Sequence, residues 1–82
     1  MFYVYILKSQ KYNWKYIGSC VDLRKRFLEH NSGKVRSTKA RKPYNLVYYE
    51  AYNNKAVALK REIELKHNSS KKEELFKRIF EN

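Results

Sequence analysis

The amino-acid sequence predicts an α+β domain in which helices flank a small three-stranded, mainly antiparallel sheet, in the order β-β-α-β-α-α. Short runs of aromatic and β-branched residues, typical of strands, alternate with longer runs that have helical periodicity. Residues that favour the start of a helix stand before the helical runs. A chain of 82 residues is too short for two hydrophobic cores, so residues 1–82 are expected to form one domain.

The first two strands are predicted to form a hairpin. Phe2 to Leu7 is aromatic and β-branched and too short for a helix, so we assign it to a buried strand. A polar segment follows and leads into a second strand at about Trp14 to Ser19. The hairpin makes these strands antiparallel, whereas the position of the third strand, Leu46 to Tyr52, stays open.

The first helix is predicted from Leu23 to Ser32. Asp22 suits the N-cap position, and Gly33 suits the left-handed residue that follows a helix. One face of this helix holds four residues at helical spacing: Leu23, Arg26, Phe27 and His30. A cation and an imidazole therefore lie in or beside the apolar stripe, which packing alone does not explain.

Two further helices are predicted in the C-terminal part. Asn53 and Asn54 offer an N-cap to a helix from Lys55. Its periodic positions mix apolar and charged residues: Ala58, Leu59, Glu62, Ile63, Leu65 and Lys66. The capping-box pattern from Ser70 to Glu73 predicts the start of a third helix. Its apolar face consists of Leu75, Phe76, Ile79 and Phe80.

The chain is strongly basic. Nineteen Lys and Arg residues against eight Asp and Glu residues give a net charge of +11. Such an excess causes self-repulsion without a benefit to folding, so a polyanion is the expected partner. A basic surface that serves solubility alone is the alternative. Five of the cations are in a predicted exposed loop from Lys34 to Pro43 with little to bury: Lys34, Arg36, Lys39, Arg41 and Lys42.

Other classes of protein are excluded by composition. The single Cys20 rules out an internal disulfide and a cysteine-based zinc cluster within one chain. No apolar run approaches the length of a membrane span, and the N-terminal apolar segment lacks the flanks of a signal peptide. We therefore expect a cytoplasmic protein that does not associate with a membrane.

Two tyrosine motifs stand near the N-terminus, Tyr3-Val4-Tyr5 and Tyr16-Ile17-Gly18, with Tyr5 and Tyr16 eleven residues apart. A set of residues follows in order: Asp22-Leu23, Arg26, Glu29 to Gly33, Pro43, Leu46 to Tyr48, Ala58, Arg61-Glu62 and Lys66. This ordered set resembles the GIY-YIG nuclease superfamily, in particular its small single-domain bacterial members and the domain of excision-repair endonucleases. Tyr3 replaces the glycine of the family name, and Asn68 does not clearly match a late asparagine of many members, so its role stays open.

The resemblance implies cleavage of DNA phosphodiester bonds with one divalent metal ion, Mg²⁺ or Mn²⁺, held by Glu62. Mg²⁺ takes oxygen ligands and keeps several waters, so one carboxylate and the scissile phosphate are chemically sufficient. The alternative for Glu62 is a surface ion pair with Lys66, four residues on. We also expect Lys66 and the cations of the basic loop to bind nucleic acid.

Tyr5 and Tyr16 are the catalytic tyrosines that the resemblance implies, and Tyr16 is expected near the attacking water. Only about one phenol in a thousand is ionised at pH 7 when its pKa is near 10, so positive charge must lower that pKa, or the tyrosine orients the water. Ordinary packing between strand and helix is the alternative for both.

Arg26 resembles the family arginine that contacts the scissile phosphate, where a planar guanidinium neutralises developing charge. His30 resembles a position that carries a hydrogen-bonding side chain. It is expected to transfer a proton or bind the phosphate, because histidine titrates near neutral pH. A histidine whose hydrogen bonds are satisfied at the helix edge is the alternative.

Two other classes of function stay open beside the nuclease. One is a binding module that keeps the fold and the basic groove and engages DNA or structured RNA without cutting. The other is a protein-interaction domain within a larger complex. The combination of Tyr5, Tyr16, Arg26, His30 and Glu62 favours the enzyme, because a binding module does not need these residues together.

Overall fold

The computed structural model describes residues 1–81 as one sheet and three helices, with a short 3₁₀ turn between α1 and β3. The elements are β1 (Phe2–Ser9), β2 (Lys15–Cys20), α1 (Leu23–Asn31), the turn (Lys39–Arg41), β3 (Tyr44–Tyr52), α2 (Lys55–His67) and α3 (Ser69–Phe80). This order confirms the predicted α+β fold. None of the helices within residues 1–81 has both the length and the apolar content that crossing a bilayer requires.

The sheet has the order β2-β1-β3, with both pairs antiparallel, so β1 is the central strand and β2 is an edge. Successive side chains of β1 point to opposite faces of the sheet. Val4 and Ile6 pack with α2 and α3, and Tyr5 and Leu7 pack on the other face with α1. The domain therefore has two small apolar clusters separated by one sheet, whereas the length of the chain predicted a single core.

The N-terminal and C-terminal caps of α1 confirm the sequence prediction. The Asp22 side chain accepts a hydrogen bond from the Lys25 backbone N–H at 3.1 Å. Gly33 has a positive φ of 80°, and its N–H donates to the His30 carbonyl, while the Lys34 N–H donates to Glu29. This pair of bonds satisfies the last carbonyls of the helix and turns the chain into the basic loop.

Two helix predictions are wrong in detail. α3 begins at Ser69 rather than after Ser70, because the Asn68 side chain accepts from the Lys71 N–H and is the N-cap. Asn68 therefore has a capping role between α2 and α3. On α2, Leu59 and Ile63 were predicted to belong to the inward stripe, yet they are 41% and 58% exposed.

α2 is held to β3 by a partly buried ion-pair network. The Arg61 guanidinium donates to both oxygens of Glu50 at 2.9 and 3.0 Å, and Glu50 is only 15% exposed. The hydroxyls of Tyr48 and Tyr52 donate to the same carboxylate. Burial alone raises the pKa of a carboxyl, but the bonds from Arg61 and the two tyrosines outweigh it and hold the pKa of Glu50 at about 2.

The basic loop is anchored, contrary to the expectation that it has little to bury. Its five cationic residues are exposed as predicted, but Thr38 is fully buried. The Ser9 hydroxyl donates to the Arg41 carbonyl at 2.7 Å, and the Arg41 guanidinium stacks 4.1 Å from the centroid of the Trp14 ring. Arg41 is thus a structural contact as well as an exposed charge.

Candidate active site

A buried chain of hydrogen bonds connects β1, α1 and the basic loop. The Tyr5 hydroxyl lies 2.7 Å from His30 Nε2, and His30 Nδ1 lies 2.7 Å from Thr38 Oγ1. His30 has 0% exposure, so these hydroxyls are the groups that satisfy its ring nitrogens. Helical spacing placed His30 on the inward face correctly, but the structure puts it in the core rather than at the helix edge.

The partners of Thr38 assign the tautomer of His30. When the Thr38 hydroxyl proton is assigned to the Val35 carbonyl at 3.3 Å, the hydroxyl oxygen accepts from His30 Nδ1–H. Nε2 then has a free lone pair and accepts from the Tyr5 hydroxyl. The proton of Tyr5 therefore points at a neutral imidazole.

Burial sets the protonation states of this chain. It lowers the pKa of His30 to about 4, with a further contribution from the positive charge of Arg26. Burial also raises the pKa of the Tyr5 hydroxyl, although Arg26 opposes this. His30 therefore stays neutral at pH 7 instead of titrating there, and Tyr5 stays protonated.

Gly18 allows the two catalytic tyrosine candidates to approach each other. A Cβ at this position would lie 2.5 Å from the Tyr5 hydroxyl oxygen and 2.9 Å from Tyr16 Cε2, both shorter than real contacts. The two rings are 6.3 Å apart, and the Tyr16 ring is 5.0 Å from that of His30. Tyr16 is only half-buried, so it is the member of this cluster that solvent reaches.

Glu62 reaches the same edge of the sheet from the opposite face. Ser19, which alternates with Gly18 along β2, donates to Glu62 Oε1 at 2.6 Å. Lys66 Nζ lies 2.7 Å from Glu62 Oε2 and 5.7 Å from the centroid of the Tyr16 ring. The edge strand β2 therefore joins Tyr16 and Glu62, although they belong to different faces of the sheet.

The residues around Glu62 fit a single hard cation. The described residues, 1–81, hold no group of three or more His, Cys, Asp or Glu side chains that suits a metal ion. Glu62 is 16% exposed, and its Oε2 already accommodates a positive group, the Lys66 ammonium. Ser19 adds a hydroxyl oxygen beside the carboxylate. Mg²⁺ and Mn²⁺ accept such oxygen donors together with phosphate and water, provided that Lys66 moves away from Oε2.

Arg26 lies at the mouth of the cluster on α1. Its guanidinium pairs with Glu29 at 3.2 Å and stays 38% exposed. Arg26 and Glu29 line a cleft together with Cys20 and Lys25. The guanidinium also lies close enough to Tyr5 and His30 to act on the pKa of both. A phosphate bound in this cleft would contact the Arg26 guanidinium, which lies next to Tyr5 and His30 of the buried chain.

The remaining predicted cations lie apart from this cluster. The side chains of Lys39 and Lys42 pass over Gly33 at the end of α1, with the nearest Lys42 carbon 3.2 Å from where a Cβ would stand. Lys34 lines a broader groove along α1. Thr38 is the residue of the loop that joins the buried chain, through its hydrogen bond with His30. The loop cations therefore form a separate flank of the candidate site.

Sequence reasoning missed Thr38 and Ser19. Thr38 stands among basic and small residues, and nothing in its neighbourhood signals that it reaches His30. Ser19 did carry a signal, because strand alternation puts it on the face opposite Tyr16 and Gly18. Its partner Glu62 depends on how α2 docks, which the sequence does not specify.

Comparisons with known proteins identify the family of the chain. Residues 1–75 match the family model described as the GIY-YIG catalytic domain. A UPF0213 protein of Staphylococcus saprophyticus is 44% identical over 71 residues, which cover 85% of each chain. A UPF0213 protein of Bacillus subtilis is 36% identical over 90% of this chain and 75% of its own. The solution NMR structure of a UPF0213 protein from Bacillus halodurans has a TM-score of 0.56 and 37% identity, and covers 93% of this chain and 82% of that one.

Proposed function

The chain belongs to the GIY-YIG catalytic-domain family, a family of nucleases, and on this premise we propose that it is a metal-dependent endonuclease that hydrolyses DNA phosphodiester bonds. One observation carries the proposal. Lys66 Nζ lies 2.7 Å from the Glu62 carboxylate and 5.7 Å from the centroid of the half-buried Tyr16 ring, so the phenol and the carboxylate both lie near the edge strand β2. A binding surface does not require a phenol and a carboxylate at the same point of a basic domain.

Tyr16 is the residue that we assign to the attacking water. It is the more exposed of the two tyrosines, and a hydroxyl on the surface of the cluster is able to orient a water for in-line attack. Tyr5 has its proton committed to His30 and is 1% exposed. We therefore assign Tyr5 and His30 to positioning the Tyr16 ring beside Gly18 of β2, rather than to direct proton transfer.

Glu62 and Ser19 are the groups that we expect to hold the divalent cation. When bound, the cation polarises a phosphoryl oxygen and stabilises the charge that develops on it. Arg26 supplies a second positive charge, close to Tyr5, and is expected to bind the scissile phosphate. Lys66 neutralises Glu62 in the free protein and becomes available to a phosphate once the carboxylate binds a metal.

The basic loop is proposed to bind phosphates farther along the nucleic acid. Lys34, Arg36, Lys39 and Lys42 are exposed, and the anchored backbone holds them beside α1. Arg41 also packs on Trp14, so its removal tests packing and charge together. The cytoplasmic location that the composition predicts and the role in DNA repair that the family resemblance suggests stay predictions.

A nucleic-acid-binding module is the second candidate, and the Lys66–Glu62 ion pair favours it. This pair neutralises the Glu62 carboxylate without any metal ion, as a surface for phosphates alone would require. The two functions differ in a single respect, which is whether the bound strand is cut.

The deciding experiment is a panel of labelled duplex, single-stranded, flap and branched DNA and of structured RNA. Each is incubated with the protein and Mg²⁺ or Mn²⁺, and with EDTA as the control. The Tyr16→Phe variant, purified in parallel, excludes contaminating nuclease. We expect metal-dependent cutting of at least one DNA structure and loss of cutting in EDTA. Tight binding to the same nucleic acids without any product would establish the binding module instead.

A further inference from the structure

A second cleft opens on the outer side of Tyr16, between β2 and α3. Its volume is about 210 Å³, and it is lined by Lys15, Tyr16, Ile17, Lys66, Lys72 and Phe76. Three of these six residues are lysines, and no acidic residue lines the cleft. The cleft shares Tyr16 and Lys66 with the candidate active site, so whatever it binds lies next to the proposed point of cleavage.

One lysine of this cleft, Lys15, is restrained before any ligand binds. Lys15 Nζ lies 5.4 Å from the ring centroid of Phe76 and 4.8 Å from that of Phe80, which restrains its flexible side chain. Lys72 is half-buried in the first turn of α3. Within residues 1–81, neither Lys15 nor Lys72 pairs with a carboxylate, so both ammonium groups stay available to an external anion.

We propose that this cleft is a subsite for a backbone phosphate of the nucleic acid, on the strand that continues past the cut at Tyr16. The proposal rests on the proposed function, because it takes the ligand to be a nucleic-acid strand. Lysine ammonium groups bind phosphate as point charges and read no sequence. The strand thus passes from the Arg26 cleft across Tyr16 to α3, and the enzyme requires nucleotides on both sides of the cut.

The test measures how binding to a duplex depends on salt, in EDTA so that no strand is cut. The variants are Lys15→Met and Lys72→Met, alone and together, because methionine keeps an apolar stem against Phe76. Each lost phosphate contact lowers the slope of log K against log salt by about 0.9. The double variant loses the one phosphate contact of the cleft, so between 50 and 200 mM salt the parental affinity should fall by a factor about 3.5 times larger than that of the double variant (four raised to the power 0.9).

Lys60→Met is the matched control. Lys60 is an exposed lysine of α2 that lies beside Tyr52 and Arg61, away from the cleft. The Lys60→Met variant loses the same charge and should keep the parental slope of log K against log salt. Circular dichroism and thermal unfolding confirm that each variant is folded. If Lys15→Met and Lys72→Met change the slope no more than Lys60→Met does, the cleft is not a phosphate subsite.

The source of the phosphate is resolved by competition. Inorganic phosphate and a mononucleotide, at concentrations that leave the ionic strength constant, should displace the duplex poorly, because the site takes one phosphate of a continuous strand. Displacement by inorganic phosphate alone at micromolar concentration would overturn the assignment in favour of a site for free phosphate. These outcomes are independent of cutting. If the protein does not cut nucleic acid but the slope depends on Lys15 and Lys72, the subsite proposal stands. If the protein cuts and the variants leave the slope unchanged, the subsite proposal is wrong.

Discussion

The exchange of Thr38 for valine tests the buried chain that supports the site. Valine has the shape of threonine but replaces the hydroxyl with a methyl group. The Thr38 hydroxyl is the partner of His30 Nδ1 at 2.7 Å, and His30 is fully buried. In the valine variant one ring nitrogen of His30 has no partner in either tautomer, because Tyr5 satisfies only the other nitrogen.

The size of the effect follows from this orphaned nitrogen. A buried polar group without a partner costs about 1–3 kcal/mol, so the free energy of unfolding should fall by that amount. In a domain of this size each 1 kcal/mol moves Tm by about 4–8 °C. A misplaced His30 no longer fixes Tyr5 and the adjacent ring of Tyr16. If the misalignment of Tyr16 raises the activation free energy by the value of one hydrogen bond, about 1.4 kcal/mol, the rate of cutting falls roughly tenfold.

Thr38→Ser is the matched control because it keeps the hydroxyl and loses one methyl group. It should cost about 1 kcal/mol of stability and retain the parental rate of cutting. The assay combines urea unfolding, the rate of cutting and the ¹⁵N resonances of the His30 ring, which distinguish a protonated from an unprotonated nitrogen. A valine variant whose ring resonances and rate both match the parental protein would refute the assigned chain.

Three further predictions use single substitutions and pH. Tyr16→Phe should lower cutting by roughly two to four orders of magnitude at nearly unchanged Tm. Tyr5→Phe should also lose about 1–3 kcal/mol of stability, because His30 loses its hydrogen bond from the Tyr5 hydroxyl. Equal unfolding curves for the two variants would contradict this difference. Gly18→Ala should cost about 1–3 kcal/mol and reduce cutting, since its Cβ displaces Tyr5, and a parental Tm would refute the tight contact. The pKa of Glu50 is about 2 in the folded protein, against an ordinary value of 4.5. As the pH falls, Glu50 therefore binds a proton in the unfolded chain before it does so in the folded protein. The free energy of unfolding should therefore fall by about 3 kcal/mol as pH drops from 4.5 towards 2, and a Glu50→Gln variant should lack this fall.

The elements of the fold were predictable because their signals are local. Asp22 and Gly33 bound α1 by chemistry that acts within one helical turn, and both have the predicted role. His30 was placed inward by helical spacing alone. The start of α3 was mispredicted because Asn68 and Ser70 are both good caps two residues apart, and only the end of α2 decides between them.

The contacts that build the site were harder to predict because they join distant parts of the chain. Thr38 meets His30 only after the basic loop folds back on α1, and no local pattern indicates that return. Leu59 and Ile63 have the helical spacing of an apolar stripe, but Ala58 and Leu65 are the residues of α2 that pack on the sheet. Periodicity identifies a face of a helix and leaves open which of two adjacent faces docks.

The most direct measurement of the central claim is cutting and binding by Glu62→Gln, with Glu64→Gln as the control. Glutamine keeps the length of the side chain and an oxygen for Ser19, but it removes the charge that a hard cation requires. Glu64 is on the same helix and pairs with Arg61, away from Tyr16. We expect Glu62→Gln to lose at least about a hundredfold in metal-dependent cutting while it binds DNA in EDTA as tightly as the parental protein or more tightly. Parental cutting by Glu62→Gln, or cutting by the parental protein in EDTA, would contradict a metal-dependent active site at Glu62.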